Sequence, residues 1–432
     1  MKRALGLLVI VCICASMHAR EVTLDSCRIW AQRNYPAIRQ YELISKSEKY
    51  SVSNAARSWI PQVALSAQAL YYSDQANMSE VWEALGLTDM FKTLGKEIPD
   101  LYLRKFQGKV QLDVQQTIWD GGMSVAGKQT AQADARQQKA QADVDFDQLE
   151  SRVDNLYFGI LLLDLQQEQL LQTDSLLQKN MERMRTLYNN DVILQSDLDA
   201  MEVEILTLGQ KIDAVSYSRD AYRRMLCLIT GRNLMADTLQ VPEEPAEKTG
   251  EEQRAELRLL DAKIDYLLAQ EKTVKSYSMP QFYAFAQGWY GYPKLDMFAS
   301  MLSAEWGLNA VVGVRMQWNI GAYYTQGNRL KSLRVNQEQV RVQKDIFEWN
   351  RRMQTAQEDA EITRLRRALE DDARIVELRR RVRSAAEVKH DNGAITTTEL
   401  LQKITDESLA VSAQSAHRIE LLKTQYELNK LK

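Results

Sequence analysis

Proline is missing from two long stretches of this 432-residue chain, and that pattern constrains the fold most. None lies between Asp100 and Val241, and none follows Pro293. Proline removes an amide donor and clashes with the preceding turn, so tracts of about 140 residues without it read as long helices. The 7 Pro and 18 Gly of the whole chain give too little turn punctuation for a β-sandwich or an α/β enzyme of this size. Hydrophobic residues at 45% and charged residues at 26% are globular values that exclude bulk disorder. The formal charge of −3, from 55 basic and 58 acidic residues, gives no sign of nucleic acid as a partner.

The chain opens with a basic Met1-Lys2-Arg3, an apolar run from Ala4 to Ala15 and small residues up to Ala19. Residues 1–19 therefore read as a secretory signal peptide. The apolar run is too short to cross a bilayer. Cys12 and Cys14 follow Val11 and Ile13, where lipid attachment would want a small residue. Cys27 and Cys227 remain, and two buried thiols are expected rather than a bridge, although export permits one. No later segment has 18 consecutive apolar residues, so no spanning helix is expected. The options are a soluble exported protein or a membrane β-barrel.

The rest reads as one plan written twice. Residues 20–231 form the first repeat, 232–250 a linker with Pro242 and Pro245, and 251–432 the second repeat. In the first, a helical tract kinked at Pro36 runs to about Trp59, and Pro61 ends it. Val63, Leu65, Ala67, Ala69 and Tyr71 then alternate with polar residues, the period of a strand. Ser73–Phe106 is a long connection with a short amphipathic helix at Glu80–Leu94. A second strand sets Val110, Leu112, Val114 and Ile118 against Gln111, Asp113, Gln115 and Thr117, and Asp120-Gly121-Gly122 ends it. Helices run from Met123 to about Asn189 and from there to about Ile229, with Gly231 as the cap. The second repeat has a helix over Glu251–Tyr277, strands over Phe282–Tyr292 and Asn309–Ile320, and helices over Tyr323–Lys389 and onward to Lys432. Gly121 and Gly127 match Gly321 and Gly327 at an offset of 200, and Asp191-Val192-Ile193 matches Gly393-Ala394-Ile395 at 202.

A helix of nearly 70 residues is about 100 Å long, so such helices stand side by side as coiled coils. Strands of about 11 residues match the length that crosses a bilayer. Four strands leave two open edges, which hydrocarbon does not tolerate, so the sheet must close with copies from other chains. Three chains give twelve strands, enough for a lumen. Gln111, Asp113, Gln115, Arg315 and Gln317 are the expected pore-lining face. Trp59, Tyr71, Tyr72, Trp119, Tyr290, Tyr292 and Trp318, near the strand ends, suit an aromatic girdle.

With those features in hand, the chain resembles the TolC-type outer-membrane efflux family over nearly its whole mature length. The resemblance rests on Val22-Thr23-Leu24-Asp25-Ser26-Cys27, Ser58-Trp59-Ile60-Pro61-Gln62, Gln116-Thr117-Ile118-Trp119-Asp120-Gly121-Gly122 and the segments Tyr188–Leu198 and Asn392–Leu400. It implies an α+β membrane protein: a homotrimer with a shared transmembrane β-barrel, four strands per chain, continuing into a long α-helical barrel in the periplasm. It implies an outer-membrane location and contact with outer-membrane lipid. It also implies that helix tips meet a periplasmic adaptor protein, which connects to an inner-membrane pump. By position, the adaptor-contacting tips are Asp191, Val192, Ile193, Ser196 and Asp197, and Gly393, Ala394, Ile395 and Thr398. Glu399 matches the first acidic place of the family's entrance ring, and Gln402 stands at the second, where an acid is usual. Asp191 likewise departs from the usual Gly, a turn conformation Asp can adopt at modest cost.

Chemistry for catalysis is sparse. Two histidines follow the leader, His390 and His417, with no cysteine or histidine at zinc spacing. There is no G-x-S-x-G, no P-loop and no G-x-G-x-x-G, so no enzyme, metal or cofactor is expected. Arg379-Arg380-Arg381, in a helix with Glu377 and Glu387, reads as a solvated face. The expected function is the passively gated exit duct of a tripartite efflux or type I secretion system. The competing reading is a soluble periplasmic coiled-coil scaffold or adaptor.

Overall fold

A computed structural model describes residues 21–75, 79–95, 102–190, 193–246, 253–303 and 305–431. The expected signal peptide lies outside the described residues, as do Asp191, Val192 and residues 247–250 of the expected linker. In chain order the elements are β1 (Glu21–Val22), α1 (Leu24–Asn34), α2 (Ile38–Arg57), β2 (Gln62–Tyr71), α3 (Ser79–Ala84), α4 (Leu87–Thr93), β3 (Phe106–Trp119), α5 (Met123–Asn189) and α6 (Gln195–Thr230). Then follow β4 (Thr238–Leu239), α7 (Ala255–Ser276), β5 (Gln281–Tyr292), α8 (Met297–Leu302), β6 (Gly307–Gln317), α9 (Ala322–Asp391) and α10 (Thr397–Leu431). The order of helix, two long strands and two long helices occurs in each half. The first helical tract is split at Tyr35-Pro36-Ala37, where proline forbids its continuation. The segment expected as one short helix is two, separated at Gly86, whose φ of 69° is left-handed.

The chain divides into two compact units, each built from both halves of the sequence. Of the described residues, the helical unit takes those up to Glu42, those of Lys139–Leu259 and those from Val342 onward; the sheet unit takes those of Leu43–Gln138 and Leu260–Arg341. Helices α2, α5, α7 and α9 supply residues to both.

In the helical unit, one core gathers Leu24, Cys27, Val153, Tyr157, Phe158, Ile160 and Leu226 among others. Period-3.6 apolar positions place these on single helix stripes. The unexpected pair β1 and β4 runs parallel, with Val22 opposite Leu239. Fully buried Tyr157 spans its end, its hydroxyl 2.7 Å from the carbonyl oxygens of both Val22 and Gln240. Arg28 donates two 2.8 Å bonds to Asp154, which Lys430 also meets at 2.5 Å. Cys27 and Cys227 are free thiols, and burial, with a smaller contribution from Cys227, pushes the Cys27 pKa up to about 12. Gly231 caps α6 at φ 68°, its amide on the Cys227 carbonyl. Arg379 and Arg380 reach Asp406 and Glu407 on α10 at 2.6 and 3.4 Å, so they tie two helices together rather than forming only a solvated face. Arg381 meets Glu377 of its own helix at 3.8 Å.

In the sheet unit, four antiparallel strands lie in the order β2-β3-β5-β6. Two hairpins are thus joined through β3 and β5. Asp120 organises the step from β3 into α5: its carboxylate accepts the amides of Gly122 and Ser124 at 2.9 and 2.7 Å. Burial works to raise its pKa, and those bonds with the Ser124 hydroxyl outweigh it and hold the carboxyl below its usual range. Gly121 must be glycine there, since its φ is 69° and a Cβ would stand 2.6 Å from Met279 Cβ.

Candidate functional site

Cross-strand partners in an antiparallel sheet share a face, so the register assigns every side chain of the sheet to one side or the other. Ser66, Gln111, Trp289 and Asn309 form one rung across all four strands, and Ala64, Asp113, Gln287 and Val311 form the next. Gln115 pairs with Gln62 and Phe285, Arg315 with Tyr283, and Gln317 with Gln281. The five residues expected to line a pore therefore lie on one face. A polar ladder runs along it: Lys109 Nζ donates to Gln111 Oε1 at 2.8 Å, and Gln111 and Gln287 both donate to Asp113 Oδ1, at 2.6 and 2.7 Å. The face also carries Tyr283, Phe285 and Trp289 from β5, and the Arg315 guanidinium sits 4.8 Å over the Phe285 ring.

The opposite face is apolar except for Gln116, which pairs with Ala284 towards one end of the sheet: Val63, Leu65, Ala67 and Tyr71; Val110, Leu112 and Val114; Ala284, Ala286 and Tyr290; Leu308, Val312, Val314 and Met316. Most of these residues are open, with Leu308 82%, Val312 80% and Leu65 74% exposed, while Val114, Ala284 and Ala286 of the inner strands are half-buried. The register slips between Thr117 and Trp119, so Trp119, not Ile118, stands opposite Phe282. Their rings lie 6.1 Å apart at one end of the sheet, and Tyr290 and Trp306 are equally spaced at the other.

The two helix turns belong to the helical unit, and the fold brings them onto one core. Leu177, Met181 and Met184 of α5, Met201 and Leu208 of α6, Ala386 of α9 and Leu400 and Ile404 of α10 form it. Ile193 from the first turn and Ile395 from the second are half-buried against it. The two turns reuse one device. Asn190 and Asn392 each donate a side-chain amide to the carbonyl four residues back, Thr186 at 2.9 Å and Val388 at 2.7 Å. The second turn is a Schellman motif, with Gly393 at φ 67° and amides of Gly393 and Ala394 on the carbonyls of His390 and Lys389. The next helix starts differently in each. Asp197 accepts from the Leu194 amide at 3.1 Å, whereas Thr396 accepts from the Glu399 amide at 3.3 Å. Ser196, Ala394, Thr398, Glu399 and Gln402 are exposed, and Glu399 lies in the first turn of α10, where the helix dipole favours an acid. Leu194 is 71% exposed and absent from the expected tip residues. Its neighbour Ile193 is equally apolar, and sequence alone does not say which of the two turns outward.

Among the described residues no helix is long and apolar enough to cross a membrane, and no group of three acidic, histidine or cysteine residues could hold a metal. No protein-family model matches the sequence, and no curated protein sequence is similar to it. Solved structures are similar in fold. The outer membrane protein VceC of Vibrio cholerae superposes with a TM-score of 0.67 at 14% identity, covering 94% of each chain. The Campylobacter jejuni CmeC outer membrane channel gives 0.69 at 11% identity, over 94% of this chain and 85% of the other. The Neisseria gonorrhoeae MtrE outer membrane channel, in its open state, gives 0.64 at 12%, over 94% and 88%. A likeness covering nearly the whole of each chain shows that this protein has the fold of TolC-type outer-membrane channels.

Proposed function

We propose that this protein is an outer-membrane channel and works as a homotrimer. Three four-stranded sheets would close into a twelve-stranded barrel, which removes the open edges of β2 and β6. The observation that carries this reading is the open face of the sheet, apolar in all its strand residues but Gln116, beside a polar opposite face. A soluble sheet exposes its polar side and buries its apolar one; a membrane barrel does the reverse. Strands of 10, 14, 12 and 11 residues suit a tilted bilayer crossing. The polar face, with Gln111, Asp113, Gln115, Arg315 and Gln317, would then line the lumen, and the helical unit would stand in the periplasm.

The protein acts in this reading as a conduit and not as an enzyme, and a periplasmic adaptor and an inner-membrane pump drive transport. The turn residues Ile193, Leu194, Ser196, Asp197, Ala394, Ile395 and Thr398 meet the adaptor, and Glu399 and Gln402 border the entrance. With Gln402 in place of an acid, the entrance attracts cations less than a full acidic ring would. Whether the cargo is a small molecule or a secreted protein is decided by the pump.

The test is the native mass of protein extracted from outer-membrane fractions in mild detergent. A urea-resistant, membrane-bound trimer is expected. A monomer or dimer that washes off the membrane would overturn the channel and leave a soluble periplasmic scaffold.

A further inference from the structure

A cavity of about 520 Å³ lies at the end of the sheet where β5 runs out into the loop before α8. Its walls are Gln68 and Leu70 of β2, Gln107 and Lys109 of β3, Trp289 and Tyr292 of β5, and the segment Pro293–Leu295 with Met297. Register puts Gln68, Leu70, Gln107, Lys109 and Trp289 on the polar face, and the loop closes over them. The volume is that of a site for a small organic molecule.

The cavity is held open by its own bonds. The Tyr292 hydroxyl accepts the Arg104 amide at 2.9 Å and donates to the Ser300 carbonyl at 3.2 Å. Fully buried Ser300 takes the Lys294 amide on its hydroxyl at 2.8 Å, and Asn309 takes the Leu295 amide at 2.8 Å. Gly291 lets β5 approach β3 beside the cavity: it lies opposite Lys109, and a Cβ there would stand 2.5 Å from Lys109 Cβ. The walls are therefore set before anything binds, which lowers the cost of binding.

The chemistry of the walls selects a ligand. Trp289 offers a ring face, and Leu70, Leu295 and Met297 add apolar area. Lys109 and Lys294 are the two charged groups, and no acidic side chain lines the cavity among the described residues. Lys109 is hydrogen-bonded to the neutral Gln111, and Lys294 meets Glu305 at 3.2 Å at the rim, where that carboxylate is 70% exposed. We propose that this cavity is a binding site for small aromatic anions, one per chain. The ring lies against Trp289 and the anionic group between Lys109 and Lys294. Its role as a resting place for solute at one end of the lumen depends on the function proposed above; the site itself depends only on the sheet and its loop.

The probe is naphthalene-2-sulfonate, titrated calorimetrically into full-length protein in a neutral detergent, against a protein-free micelle blank. Saturable binding at one site per chain is expected, weakening as salt is raised. Lys109→Gln and Trp289→Ala should each weaken it about tenfold, and the uncharged 2-hydroxymethylnaphthalene should bind wild type as poorly as Lys109→Gln binds the anion. Glu305→Gln, which removes the competing carboxylate, should bind at least as tightly as wild type. No saturable heat above the blank, or equal affinity in wild type, Lys109→Gln and Trp289→Ala, would overturn the site. The native mass of the same samples separates the two proposals. A trimer without binding rejects the site alone, and binding by a non-trimeric, membrane-free protein rejects the lumenal role while keeping the site.

Discussion

The helical unit and the sheet unit spend their apolar residues in opposite ways. In the helical unit Tyr157, Phe158, Ile160, Leu365, Leu400 and Ile404 are almost wholly buried by other parts of the same chain. In the sheet unit Leu65, Leu308, Val312 and Val314 lie on one regular face and are open. Both patterns are equally periodic. The difference teaches that a periodic apolar face says where burial will occur and not what will cover it. For the helices the cover is the rest of the protomer; for the sheet it lies outside the chain, and lipid is the cover we propose.

The largest expected effect breaks the helical side of this comparison. Leu400→Ala removes a side chain from the core under both helix turns and should cost about 2–5 kcal/mol, read as a lower denaturant midpoint. The sheet should respond to a different insult. Leu112→Arg or Val312→Arg should hinder membrane insertion by about 2–4 kcal/mol while Gln111→Arg, on the other face, is tolerated. The fraction of urea-resistant membrane trimer measures it, and normal assembly of the two apolar-face variants would show the faces reversed. Tyr157→Phe removes the one hydroxyl proton that the carbonyls of Val22 and Gln240 share in the helical core, the Val22 carbonyl keeping the Gln240 amide, and should cost about 1–3 kcal/mol. Cys27 sharpens the picture of that core. With its pKa pushed up to about 12, on the order of one thiol in a thousand is ionised at pH 9. Its alkylation in native protein should be slow there and rise with pH, and rapid labelling at pH 8 would contradict its burial. The smallest effect is on stability by Glu399→Arg, within about 0.5 kcal/mol for an exposed residue, although channel conductance for cations should change.

Much of the fold was legible in residue order. The helix from Met123 to Asn189 was bounded by Gly122 and Asn190, and proline at 36 and 61 marked real breaks. Alternation in β2, β3 and β6 identified the strands and their faces, because a period of two needs no partner to be recognised. Less was legible at the edges of elements. The β1–β4 pair is two residues long on each side and depends on contacts more than 200 residues apart. Such pairing leaves no local period. The slip at Ile118 was equally silent, since a bulge is set by the facing strand.

At the candidate sites the same division holds. Chemical types and spacing were enough to group Gln111, Asp113 and Gln115 and to pair the Asn190 and Asn392 turns, whereas Glu399 stood out only through the family resemblance. That Ile193 and Ile395 rest on a common core, that Asp197 and Thr396 cap their helices by different bonds, and that Lys109, Trp289 and Lys294 line one cavity were decided by folding. Local pattern reflects backbone geometry, which acts over a few residues; convergence of distant side chains reflects packing, which acts through space and is written in no single stretch of the chain.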